Sequence, residues 1–162
     1  MSANMTLAPA AESDAAAIFA LEQQIFTEDA WSLALIKDEL TANYRRYFKL
    51  EQDAKLVGYA GVLVVGDEAD VQTIAVSSEL RGQGWGKKLL QRLADEAVSQ
   101  GAKQIFLEVR ADNPAAIGLY QHSGFKQIAV RPQYYQPAGV DALIMRAQLP
   151  LKWKEIADAQ DR

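Results

Sequence analysis

The chain has 162 residues, 49% of them hydrophobic and 23% charged, with a net charge of −4, one histidine and no cysteine. That balance suits a single globular domain with its own core, and it excludes disulfides, thiolate metal sites, a cysteine nucleophile and, with His122 alone, any two-histidine metal site. An acidic chain lacks the basic surface that direct nucleic-acid binding needs, no apolar run reaches the roughly 18 residues of a membrane span, and the N-terminus carries no secretory signal, so a cytoplasmic protein without metal, nucleic acid or membrane is expected.

Thr6 to Ala10 predicts a short first strand, and Pro9 puts it at a sheet edge. Ser13 or Asp14 caps a helix running to about Ile25, with Ile18, Leu21, Ile25 and Phe26 as its apolar stripe. Residues 27–31 break that pattern. Ser32 then caps a second helix that carries Leu33, Ile36 and Leu40 on its buried side. Three strands with tight turns follow, Tyr47 to Glu51, Lys55 to Val65 and Ala69 to Val76, and read as an antiparallel meander. A helix from about Gly84 to Gln100 ends at Gly101. The strand Gln104 to Arg110 comes next, and the helical crossover makes it parallel to the strand ending at Val76. Asn113 caps and Pro114 opens a helix from Ala115 to His122, closed by Gly124. His122 reads as a surface residue of that helix. Phe125 to Val130 and Ala142 to Arg146 are the last strands, joined by a connecting segment over Arg131 to Gly139. Leu151 to Arg162 is expected to form a short terminal helix or to fray.

The most informative stretch is Ile74 to Lys87. Val71, Thr73, Ile74 and Val76 favour extended backbone, and Lys87 onward has apolar residues at helical spacing. A glycine cluster therefore sits between a strand and a helix, where free N–H groups and the helix dipole bind phosphate. It lacks the Gly-Lys-Ser/Thr ending of a P-loop and the Gly-x-Gly-x-x-Gly of a dinucleotide fold. Two further residues stand out. Glu108 interrupts an otherwise buried strand, as the partner of Arg110 in an ion pair or as a general base. Tyr120 is either a packing residue of its helix or a proton donor near the glycines.

Arg81-x-x-Gly84-x-Gly86 resembles the acetyl-coenzyme A signature of the GNAT N-acetyltransferases. Leu107-Glu108-Val109-Arg110-Ala111-Asp112-Asn113-Pro114-Ala115-Ala116-Ile117-Gly118-Leu119-Tyr120 resembles a run of the RimI-type branch of that family, as do Ile74-Ala75-Val76 and the Arg-x-x-Tyr-Tyr segment ending at Tyr135. The resemblance covers roughly residues 5–149. It departs from the branch where Ser77-Ser78 replaces the common Asp-Pro and where Arg81-Gly82 replaces Gln-Arg.

The resemblance implies an α/β protein with a single-domain GNAT fold: a mixed central sheet with helices on both faces, a domain over 1–149 and a tail over 150–162. It implies that acetyl-CoA is bound by Ile74, Ala75, Val76, Gly82, Gln83, Gly84, Trp85, Gly86 and Lys87, with Asn113 on the pantetheine arm. Glu108 would be the base and Tyr120 the acid in direct transfer of acetyl to an N-terminal α-amine. The partner implied is the basic N-terminal peptide of a small-subunit ribosomal protein, beginning with alanine. The peptide would enter between the first two helices and the Arg131 to Gly139 segment. Trp31, Tyr134 and Tyr135 would wall that slot, and Glu28, Asp29 and Asp141 are candidates for attracting basic side chains. A GNAT acting on lysine or a small amine, and a non-catalytic acyl-CoA-binding module, stay open as alternatives.

Overall fold

A computed structural model describes residues 4–26 and 30–154. Its elements run β1 (Met5–Pro9), α1 (Ala15–Ile25), α2 (Leu33–Thr41), β2 (Arg45–Gln52), β3 (Lys55–Val65), β4 (Glu68–Val76), α3 (Trp85–Ser99), β5 (Gln104–Arg110), α4 (Pro114–His122), β6 (Lys126–Tyr135) and β7 (Val140–Gln148). The described strands form one mixed sheet in the order β1-β2-β3-β4-β5-β7-β6. β1 to β4 pair antiparallel; short turns demand this for β2–β3 and β3–β4, while α1 and α2 lie between β1 and β2. β4 and β5 are parallel, because α3 carries the chain back across the sheet. β7 then inserts between β5 and β6, antiparallel to both.

Helices cover both faces, and each covering layer follows from an apolar stripe. Ile18, Leu21 and Ile36 of α1 and α2 pack with Tyr47, Tyr59 and Ala75 on one face. Leu89, Leu90, Leu93, Ala94 and Ala97 of α3 recur at helical spacing and pack with Phe48, Ala60, Val62, Ile105 and Met145 on the other. The caps are where the sequence puts them: the Ser32 hydroxyl accepts the Leu35 N–H at 3.1 Å, and Asn113 Oδ1 accepts the Ala116 N–H at 3.2 Å. Asp14 instead caps the short 3-10 turn before α1, accepting the Ala11 N–H at 2.8 Å.

Three local expectations need correction. Arg131 to Tyr135 is not a connecting loop but the second half of β6, whose pairing with β7 lapses after Arg131 and resumes at Tyr135. β6 is the outer strand of the sheet, where Pro132 and its missing N–H are tolerated, so proline there does not end the strand. Of the expected terminal helix or frayed end over Leu151 to Arg162, residues 155–162 lie outside the described residues; residues 151–154 form no helix and are held, with Leu151 buried in the core and the Trp153 indole N–H donating to Gln91 Oε1 at 2.5 Å. Trp153 also half-covers His122, ring to ring at 6.3 Å, so that histidine is less exposed than its polar neighbours suggest.

Candidate active site

Two parallel strands that part create the site. β4 and β5 pair only where Glu68 to Asp70 meet Gln104 to Phe106. Just beyond, Gly61 of β3 faces Thr73 while Val62 faces Val71, which leaves Gln72 as the extra residue of a β-bulge. A bulge bends and twists its strand. Here it turns the second half of β4 away from β5, and the gap opens toward the C-terminal ends of both strands, where sites in such sheets form.

On the β4 side lies a cleft of about 480 Å³, walled by Ile74, Ala75, Val76, Gly82, Gly84, Trp85, Gly86 and Lys87, and closed by Asn113, Ala116, Leu119 and Tyr120. Its shape is a property of backbone. Gly84, the residue before the first turn of α3, has φ +87° and Gly82 has φ +78°, a left-handed conformation that side chains resist. The turn into α3 therefore lines the cleft partly with glycine, at Gly82, Gly84 and Gly86. Gln83 does not line the cleft; its amide nitrogen lies 3.4 Å from the Glu79 carbonyl. The Lys87 ammonium lies 4.9 Å from the centre of the Trp153 ring, which ties the cleft to the chain after β7.

On the β5 side lies a smaller cavity of about 250 Å³. Glu108, Tyr120, Asn113, Trp31 and Tyr135 line it, together with Glu22, Phe26 and Thr73. Asn113, Tyr120, Phe26, Ile74 and Ala116 belong to both spaces, so the two are continuous. Tyr120 stands at the junction. Its ring packs edge-on against Phe125 at 5.8 Å, and burial pushes its hydroxyl up to about 12.

Glu108 does not pair with Arg110, the alternative to its reading as a base. Arg110 is held by Asp112, with Nε to Oδ1 at 3.0 Å, and the guanidinium holds the Asp112 carboxyl below its ordinary range. Glu108 instead meets Arg131 of β6, Nε to Oε2 at 3.1 Å, with about a third of its side chain open to solvent. Sequence reasoning missed Arg131 as the partner of Glu108, because placing it in a loop hid its reach across β7 to β5.

Of the aromatic residues expected along the peptide slot, Trp31 and Tyr135 line the cavity; Tyr134 lies outside it, 46% exposed and stacked edge-on with Tyr135 at 5.1 Å. Asp141 is committed to its hairpin, accepting the Gln133 N–H at 2.9 Å. Glu28 and Asp29 lie outside the described residues.

Glu22 is the larger omission. It is 1% exposed and faces the cavity from α1. Its carboxylate accepts the Tyr59 hydroxyl and, at 3.1 Å, the Trp31 N–H. Burial raises its carboxyl above the ordinary range, against the pull of those two donors. A signal was present: Glu22 follows Ile18 by four residues, which puts a carboxylate on the buried stripe of an amphipathic helix.

Residues 14–125 match the Acetyltransferase (GNAT) family. The chain is 37% identical over 147 residues to the N-alpha-acetyltransferase RimI of Mycobacterium tuberculosis, covering 88% of this chain and 91% of that one. It is 43% identical over 133 residues to an uncharacterized Mycobacterium leprae protein, 79% of this chain but only 36% of the longer relative. The crystal structure of the ribosomal-protein-S18-alanine N-acetyltransferase from Escherichia coli superposes with a TM-score of 0.84 at 32% identity, covering 94% of this chain and 98% of that one. By that family match and those relatives, this chain belongs to the GNAT acetyltransferase family.

Proposed function

We propose that this protein transfers the acetyl group of acetyl-CoA to the N-terminal α-amine of a protein, with the basic N-terminus of ribosomal protein S18, beginning with alanine, as the acceptor. The observation that carries the reading is the continuity of the two cavities: a backbone cradle on one strand and a carboxylate on the other meet at Tyr120 and Asn113. The names borne by the M. tuberculosis and E. coli relatives point to the same acceptor class.

The residues present fit acetyl-CoA. Gly82, Gly84 and Gly86 leave the opening of α3 clear for the pyrophosphate, which the first-turn amides and the helix dipole attract. The gap between β4 and β5 takes the pantetheine arm, with Asn113 beside it. When bound, acetyl-CoA supplies an activated thioester.

The chain's own groups then divide the work. An α-amine has a pKa of about 7.7–8.0 against about 10.4 for lysine, so near neutral pH an N-terminus needs far less help to lose its proton. Glu108 takes that proton, directly or through one water. The β4 amides beyond the bulge, which have no ladder partner on β5, face the carbonyl oxygen and stabilise charge that develops there. The Tyr120 hydroxyl stays protonated at every working pH and donates to the departing sulfur. No covalent enzyme intermediate is needed, because holding both substrates in line supplies much of the acceleration. Glu108 gives the acceptor cavity a carboxylate that suits a basic peptide, and Asp70 lies in a neighbouring pocket that shares Glu108; burial and the neighbouring Glu68 and Glu108 raise the Asp70 carboxyl.

The test is thiol release from acetyl-CoA with peptides of the S18 N-terminal type, with free and with blocked α-amines, beside an internal-lysine peptide and a polyamine. Turnover confined to the free N-terminus is the expected result. Equal turnover of the lysine peptide or the polyamine would move the protein to the lysine or small-amine alternative. No thiol release with any acceptor would leave an acyl-CoA-binding module.

A further inference from the structure

We propose that Glu22 is a positioning residue for the acceptor peptide. It is the centre of a buried hydrogen-bonded chain that gives the acceptor cavity its shape. This rests on the acceptor reading above and names a group that the transfer chemistry does not use.

Three elements meet at this carboxylate. Glu22 projects from α1 and is sealed from solvent. One of its oxygens accepts the hydroxyl of Tyr59 on β3, which is itself 1% exposed. The other accepts the backbone N–H of Trp31, in the segment before α2. Tyr59 pairs with Ala75 of β4, two residues along from Thr73, which is one residue past the bulge. Trp31, Glu22 and Thr73 all line the acceptor cavity, whereas none of them lines the cleft over the glycines.

A carboxylate buried in an apolar helix stripe is costly unless it is well hydrogen-bonded. Leucine would fill the same space at lower cost and would still join α1 to the sheet. What leucine cannot do is hold the Trp31 backbone and the Tyr59 hydroxyl at the same point. The chain from Tyr59 through Glu22 to Trp31 fixes one wall of the cavity beside the parted half of β4. The opposite wall, Tyr135 and Glu108, comes from β6 and β5. An acceptor held between them is aligned only when the first wall is in place.

A residue that merely staples α1 to β3 would lower stability and leave the balance between the two substrates alone. A residue that positions the acceptor wall changes the peptide KM and spares the acetyl-CoA KM. The experiment compares Glu22→Ala, Glu22→Gln and Tyr59→Phe with the wild-type full chain. Steady-state kinetics are run against the free-N-terminus peptide, and acetyl-CoA binding is measured separately by titration. For Glu22→Ala, the peptide KM should rise roughly tenfold, the scale of losing a hydrogen-bonded charged acceptor, with acetyl-CoA binding within about twofold of wild type. Glu22→Gln keeps an oxygen for the Trp31 N–H and can donate to a reoriented Tyr59 hydroxyl, so it should recover most of that loss. Tyr59→Phe removes one tether from an intact carboxylate and should raise the peptide KM about threefold; it keeps the inference testable if Glu22→Ala does not fold.

Three outcomes overturn the inference: an unchanged peptide KM in folded Glu22→Ala and Tyr59→Phe, a parallel loss of acetyl-CoA binding, or no recovery by glutamine. A wild-type protein that acetylates no free N-terminus sinks the acceptor reading and this inference with it. An active wild type with indifferent variants sinks only the role of Glu22.

Discussion

The two halves of the site are built in opposite ways. The cradle is local: Ile74 to Lys87 is one strand, one turn and the start of one helix, and its chemistry is backbone. The acceptor cavity is assembled: Glu22 comes from α1, Trp31 from before α2, Thr73 from β4, Glu108 from β5 and Tyr135 from β6. In the proposed reaction phosphate would be gripped by amides that any glycine-rich turn into a helix can present. An amine must meet side chains that carry charge, and those have to be brought together by the whole fold. The difference teaches that substitutions should separate cleanly, with acetyl-CoA affinity answering to the cradle and peptide turnover to the cavity.

The largest effect expected is that of Glu108→Gln. It keeps the shape and removes the proton acceptor, so kcat with the peptide should fall by about 10²-fold or more, the scale of general base catalysis, while acetyl-CoA titrates as in wild type. A kcat within threefold of wild type across pH 6 to 9 would remove Glu108 from the chemistry. Tyr120→Phe should cost less. A phenol pushed up to about 12 is a weaker acid than a thiol of ~8.5, so it contributes more as a hydrogen-bond donor than by complete proton transfer. The single-turnover rate should drop roughly tenfold, below the usual general-acid range; an undiminished rate would break the assignment.

Cradle variants should do the reverse. Gly84→Ala meets no neighbour within 4 Å, so its cost is conformational: about 1–2 kcal/mol for an L-residue at φ +87°. The KM for acetyl-CoA should rise severalfold as the first-turn amides lose their aim, with kcat at saturation little changed. An effect on the peptide KM of equal size would blur the division between the two halves. Asn113→Ala is smaller still. It loses the α4 cap, worth about 1 kcal/mol, while Asn113→Asp keeps an acceptor for the Ala116 N–H and should restore the denaturation midpoint.

The same contrast explains what was legible in the sequence. The glycine wall of the cradle could be read because it lies within fourteen consecutive residues with local backbone reasons, whereas α4 closes the cleft from afar. The caps at Ser32 and Asn113 and the stop at Gly101 were legible for that reason too. The parallel register of β4 and β5 followed from the helix between them. The partner of Glu108 did not: it depends on β7 entering between β5 and β6, a long-range event that brings Arg131 across one strand, while the nearer Arg110 is taken by Asp112. The bulge at Gln72 left no mark in strand propensity, although it opens the site. Glu22 was visible as a charge on an apolar stripe, but its meaning lies in Tyr59, thirty-seven residues away.

Glu22 also allows a test of the acceptor wall that needs no substrate. Burial raises its carboxyl above the value of 4.5 that it has in an unfolded chain, so the folded state holds the proton more tightly. The sign follows from linkage. Below the unfolded value both states are protonated, and the full stability is present. As pH rises the unfolded chain ionises first, and stability falls until pH passes the folded value. For one proton the slope cannot exceed ~1.4 kcal/mol per pH unit. The difference in unfolding free energy between wild type and Glu22→Gln should therefore shift against the wild type as pH climbs from about 4.5, and then level off. Asp70, whose carboxyl is raised, and Asp112, whose carboxyl is lowered, act with opposite signs but are common to both proteins, so they cancel in the difference. Denaturant midpoints taken between pH 4 and pH 8 give the curve directly. A flat difference would mean that Glu22 ionises in the folded protein as easily as in the unfolded one, and the cavity wall would then be wetter than a sealed carboxylate held by Tyr59 and Trp31 allows.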